Sequence, residues 1–90
     1  MEHIKYDLGH LERGSTVVVT LAERANVLLM DSANYRNYAA DQDFRYTGGE
    51  AKVSPARLAV PHDDHWFVAL DLGGAAGLIR SSITIEPPQR

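Results

Sequence analysis

In Trp66-Phe67-Val68-Ala69-Leu70-Asp71-Leu72 the two-residue period of a strand sets Trp66, Val68, Leu70 and Leu72 on one face and Phe67, Ala69 and Asp71 on the other. It is the most apolar strand in the chain and is predicted at the centre. Ala25 to Asp31 has the same character, with Val27 and Leu29 on one face and Leu28 and Met30 on the opposite one. It too reads as an interior strand.

The rest of the chain supplies shorter, more alternating segments. Ile4, Tyr6 and Leu8 alternate with Lys5 and Asp7 as a strand with one wet face. Gly9-His10-Leu11-Glu12-Arg13-Gly14 reads as a connection, and the Val- and Thr-rich run Ser15 to Ala22 as the next strand, with Val17, Val19 and Leu21 together. After Asp31, a side-chain oxygen of Asp31 or Ser32 can cap a short helix of at most two turns through Ala40, and an irregular loop rich in Asn and Tyr fits the same residues. Phe44 to Thr47 returns to β-formers, Gly48-Gly49 signals a tight turn, and a strand is expected from near Lys52, with Pro55 marking an edge or bulge. His62-Asp63-Asp64-His65 reads as the turn into the central strand. Beyond it, Gly73 to Gly77 forms a connection, and Ile79, Ser81, Ile83 and Ile85 face inward from a last strand ended by Pro87-Pro88.

Seven or eight short strands with hardly any helical period predict an all-β domain over residues 1–90: a compact antiparallel β-sandwich of jelly-roll-like form, or a small barrel. At most one short helix is expected, near residues 32–40. Ninety residues, 44% of them hydrophobic, suffice for one thin core and disfavour a deep cofactor chamber. The nine Lys and Arg are scattered and outnumbered by twelve Asp and Glu, leaving a net charge of −3, so the footprint of a nucleic-acid binder is missing. There is no cysteine, hence no disulfide and no thiolate chemistry. No apolar run approaches the about 20 residues of a membrane-spanning helix, and the start of the chain lacks the pattern of a secretory signal. A cytoplasmic protein is expected.

Candidate chemistry is sparse. His62-Asp63-Asp64-His65 gathers two imidazoles and two carboxylates, the donor types of a metal-dependent hydrolase, but the spacing matches no established metal motif. A solvated turn explains the same four residues. No Ser sits in a Gly-x-Ser-x-Gly elbow, and Gly73-Gly74-Ala75-Ala76-Gly77 lacks the Lys and helix of a phosphate loop. No catalytic residue, metal or cofactor is therefore assigned. The favoured surface combines Asp31, Asn34, Tyr35, Tyr38, Tyr46, His65 and Trp66, where aromatic rings and polar tips fall near predicted loops and strand ends. Tyr35 and Tyr38 can equally serve as a lid over one end of a thin core.

Several strings occur together: Lys5-Tyr6-Asp7-Leu8-Gly9-His10-Leu11, Ala25-Asn26-Val27, Leu29-Met30-Asp31-Ser32, Asn34-Tyr35, Asn37-Tyr38 and Phe44-Arg45-Tyr46-Thr47-Gly48-Gly49. Ser54-Pro55, Val60-Pro61, His65-Trp66-Phe67-Val68, Asp71-Leu72-Gly73-Gly74 and Arg80-Ser81-Ser82 extend the set over nearly the whole chain. In this combination the chain resembles the bacterial domain-of-unknown-function family 1883. It departs at Asp63-Asp64, where a Gly-containing turn is expected in relatives. The resemblance implies a compact β-rich fold and, because some relatives look to be fused to Toll/interleukin-receptor-type domains, a sensing or adaptor role. It carries no catalytic residue onto this chain. The expectation is a non-catalytic binding module for an unknown protein or small ligand, present as a monomer or homodimer. The alternatives are a metal-dependent hydrolase at residues 62–65 and a domain that self-associates through an open sheet edge.

Overall fold

The computed structural model describes residues 4–22, 24–51, 53–71 and 80–88. Among these residues seven strands and one helix follow in the order β1 (Ile4–Leu11), β2 (Thr16–Leu21), β3 (Ala25–Asp31), α1 (Ser32–Ala39), β4 (Thr47–Ala51), β5 (Ala56–Ala59), β6 (Asp64–Asp71) and β7 (Ser81–Glu86). They form two antiparallel sheets, one ordered β1-β6-β3-β4 and the other β5-β2-β7. The fold is an all-β sandwich rather than a closed barrel. Among the connections between these elements only β3 to β4, which runs through α1, returns to the same sheet.

The main core lies between the layers. Val27 and Leu29 of β3 and Trp66, Val68 and Leu70 of β6 meet Val17, Val19 and Leu21 of β2, with Leu11 and Val60 closing the cluster. The two strands read as apolar on both faces are the two interior strands of the larger sheet. Their outer residues Leu28, Met30 and Ala69 are covered by Tyr38 of α1, with Tyr35 and Phe44 packed alongside. Helix α1 begins where Asp31 Oδ1 accepts the backbone N–H of Asn34 at 2.9 Å, which satisfies one of the donors a first turn leaves open. The smaller sheet has no such layer on its outer face among the described residues: Thr20, Ser82, Thr84, Glu86 and Arg57 are exposed there, with Val18 buried between Arg57 and Thr84.

Three local expectations are corrected. Gly9-His10-Leu11 is not a connection but the second half of β1, which continues past a bulge where the register jumps from Asp7↔Phe67 to Gly9↔Trp66. Gly9 takes φ +70°, and its N–H is held by Asp7 Oδ1 at 2.9 Å. The extra residue shifts the alternation by one, so that Leu11 rather than His10 enters the core. Gly48-Gly49 is not a turn but the middle of β4, paired with Leu28 and Val27. A Cβ on Gly48 would stand 2.2 Å from the Val27 carbonyl oxygen, so the glycine serves close approach of two backbones. Of the supposed turn at residues 62–65, Asp64 and His65 already belong to β6, paired with Leu11 and His10.

Pro55 precedes β5, which is an edge strand as anticipated. The strand start at Lys52, the glycine-rich connection 73–77, Leu72 and Ile79 lie outside the described residues. No helix among the described residues is long and apolar enough to cross a membrane.

Candidate functional site

The inward alternation of the two central strands continues past the end of the core and changes chemistry there. On β3 the position after Leu29 is Asp31; on β6 the position before Trp66 is Asp64. Because Asp31 pairs with Trp66 in the ladder, the carboxylates stand on one face at the same end of the sandwich, related by a cross-strand diagonal. His62, on the segment leading into β6, closes the group. Its Nε2 lies 3.4 Å from Asp31 Oδ2 and 3.6 Å from Asp64 Oδ2.

Each of these side chains is held from behind. Asp31 Oδ1 accepts both the backbone N–H and the Nδ2 of Asn34, each at 2.9 Å, leaving Oδ2 for His62. Asp64 Oδ1 accepts the His65 N–H at 2.7 Å. Trp66 donates its indole N–H to the His62 carbonyl at 3.1 Å, and the two rings lie 4.9 Å apart. Asn34 also accepts the Arg45 N–H at 2.7 Å, which ties the segment before β4 to the start of α1.

A cleft of about 290 Å³ opens beside this group, floored by Leu29 and Trp66 and walled by Asp31, Asn34, Arg45, Tyr46, Thr47, Pro61 and His62. Tyr46 is 51% exposed at its rim. The residues lining this opening carry a carboxylate, an amide, a guanidinium, a phenol, an imidazole and an indole.

Of the seven residues singled out from the sequence, Asp31, Asn34, Tyr46 and Trp66 line this cleft. The other three lie on the outer face of the larger sheet. Tyr35 stacks on Phe67 at 4.6 Å between ring centres, and His65 stacks on the same ring at 4.9 Å. Lys5 Nζ lies 5.2 Å from the centre of the Tyr35 ring, and His65 Nε2 is 2.6 Å from Asp7 Oδ1. The Gly9 N–H, and then His65, hold the Asp7 carboxyl below its ordinary pKa of 3.8. Tyr38 is buried between α1, which carries it, and the sheet, and donates its hydroxyl to Asp71 Oδ2 at 3.3 Å. Burial, with the Asp71 charge beside it, pushes the Tyr38 phenol up to about 12.

The quartet at residues 62–65 does not converge. Asp63 turns to the Arg13 N–H at 2.6 Å and His65 to Asp7, while only His62 and Asp64 share a place, with Asp31 as the third member. Two adjacent strand positions point to opposite faces, and that separates Asp64 from His65. Arg45, Thr47 and Pro61 were missed in the sequence. Arg45 and Thr47 lie at the entry to β4 and Pro61 before β6, and only the folded arrangement brings them to the Asp31 end.

The family described as "Domain of unknown function (DUF1883)" matches residues 1–89 of the chain. No curated protein and no solved structure matches it.

Proposed function

The chain belongs to the DUF1883 family, and from that premise we propose that it is a non-catalytic binding module which takes a segment of a partner protein in the cleft at the Asp31 end of the sandwich. One observation carries this reading: Asp31, Asn34, Arg45, Tyr46 and Trp66 share the walls of a single opening. Tyr, Trp and Arg are the residues that most often dominate the energetics of protein interfaces, since each joins a large contact area to a directed donor. Asn34 and Asp31 are already fixed by their mutual hydrogen bonds, so binding immobilises fewer side chains there. The module is proposed to serve as the recognising part of a cytoplasmic bacterial signalling protein, in a sensing or adaptor role.

The test is site-specific photo-crosslinking in cells, with the reactive side chain at Tyr46 in one variant and at Thr84, on the outer face of the smaller sheet, in another. The Tyr46 position is expected to give a discrete crosslinked product that disappears when Arg45→Ala is added. Equal products from both positions, or a Tyr46 product indifferent to Arg45→Ala, would overturn the reading.

A further inference from the structure

Three donors from three separate elements meet beside the cleft: Asp31 at the end of β3, His62 on the segment before β6 and Asp64 at the start of β6, with their ligand atoms all within 4.8 Å of one another. We propose that Asp31, His62 and Asp64 bind one divalent transition-metal ion of the zinc type, leaving one coordination position directed toward the cleft.

The distances suit three donors arranged around one ion. The His62 Nε2 separations of 3.4 and 3.6 Å from the two carboxylates exceed the usual N–H···O range. Zinc bonds of about 2.0–2.2 Å to nitrogen and oxygen imply tetrahedral edges of about 3.3–3.6 Å between donors. The two His62 separations fall at that spacing, and the two carboxylate oxygens, within 4.8 Å of each other, would close onto the ion by small side-chain rotations.

The supporting contacts agree. Both Asp31 and Asp64 use Oδ1 on a neighbouring N–H and aim Oδ2 at the imidazole. Trp66 restrains His62 through its carbonyl and its ring. Outer contacts of this kind orient ligands and strengthen metal sites. The imidazole selects among ions: a hard cation such as calcium takes an all-oxygen shell, whereas nitrogen with carboxylate oxygen suits zinc, cobalt or nickel. Three protein donors complete all but one corner of a tetrahedron, the pattern of a site that accepts an outside ligand. In this protein the outside ligand is a donor group of whatever enters the cleft, and only this last step rests on the cleft reading.

The experiment is titration of the tag-free, EDTA-treated chain with Co²⁺, followed by visible absorption, and competition with Zn²⁺. One Co²⁺ per chain is expected, with the intense visible bands of low-coordinate cobalt, displaced by one equivalent of zinc. His62→Gln should abolish the bands. Asp31→Asn, which keeps the oxygen that caps α1, and Asp64→Asn should each weaken binding by about tenfold or more. Asp63→Asn and His65→Gln, whose side chains point elsewhere, should bind as the parent does. Circular dichroism confirms that each variant is folded, and His62 is half exposed, so its loss leaves the core untouched. Absence of stoichiometric cobalt, or bands unchanged in His62→Gln, would overturn the inference. Crosslinking at Tyr46 repeated in EDTA tests the cleft without the ion, so the two readings fail separately.

Discussion

The two sheets hide matching inner faces and treat their outer faces in opposite ways. On the larger sheet, Leu28, Met30, Phe67 and Ala69 continue an apolar surface that α1 and Phe44 cover. On the smaller one, Thr20, Ser82, Thr84 and Glu86 meet solvent directly. The larger sheet therefore works as the middle of three layers, and the smaller as an ordinary amphipathic wall. The helix that provides the cover also begins at Asp31, so the element that stabilises the outer face sets the geometry of the cleft at its own N-terminus.

The sharpest way to break this contrast is to remove one side chain from each outer face. Met30 is fully buried, and Met30→Ala is expected to cost about 2–5 kcal/mol through lost burial and a residual cavity. Thr84→Ala, on the uncovered face, should change stability by no more than about 0.5 kcal/mol. Chemical denaturation of both variants checks the pair; equal losses would mean that the smaller sheet is also covered.

A smaller effect is expected where the middle layer ends. Gly48→Ala forces a Cβ against the Val27 carbonyl at a φ of +118°, and should cost about 1–3 kcal/mol by overpacking and backbone strain. The same substitution at Gly49 meets no atom within 4 Å, although its φ of +135° still carries strain. The difference between the two midpoints of denaturation isolates the steric part.

The mildest probe is Tyr38→Phe, which removes the hydroxyl donated to Asp71 and should cost about 0.5–1.5 kcal/mol near neutral pH. It also has a pH signature. The unfolded phenol releases its proton near 10.0 and the folded one near 12, so between those values the unfolded state binds fewer protons and stability falls as pH rises. Tyr38→Phe should flatten that alkaline fall, as read from thermal unfolding across the window. An identical fall in both proteins would assign it to other groups.

What could be read from the sequence follows the same contrast. Double-sided apolar runs identified β3 and β6 as interior strands, and the capping chemistry of Asp31 or Ser32 allowed a short helix where α1 lies, because both signals are local; the structure settles the cap on Asp31. Gly48-Gly49 misled because positive φ is shared by tight turns and by close strand approach, and only the neighbouring Val27 carbonyl distinguishes them. Leu11 was lost behind a one-residue bulge that reverses the parity of everything after it. For the cleft, Asp31, Asn34, Tyr46 and Trp66 were identifiable by type and place, whereas the partnership of Asp31 with His62 and Asp64 depends on the register of strands far apart in the chain. Tyr35 and Tyr38 were grouped with them by proximity in sequence; the helix turns both toward the outer face instead.

The bulge at Leu8 has a further effect on how the molecule meets its surroundings. Among the described residues β1 borders the larger sheet, with no strand paired to its other side. A visiting strand aligned with Ile4 to Asp7 falls out of step at Gly9, since the extra residue kinks the backbone and offsets the next donors. Continuous docking along all eight residues is thereby prevented. The irregularity that brings Leu11 inward also makes this border a poor template for fibril growth.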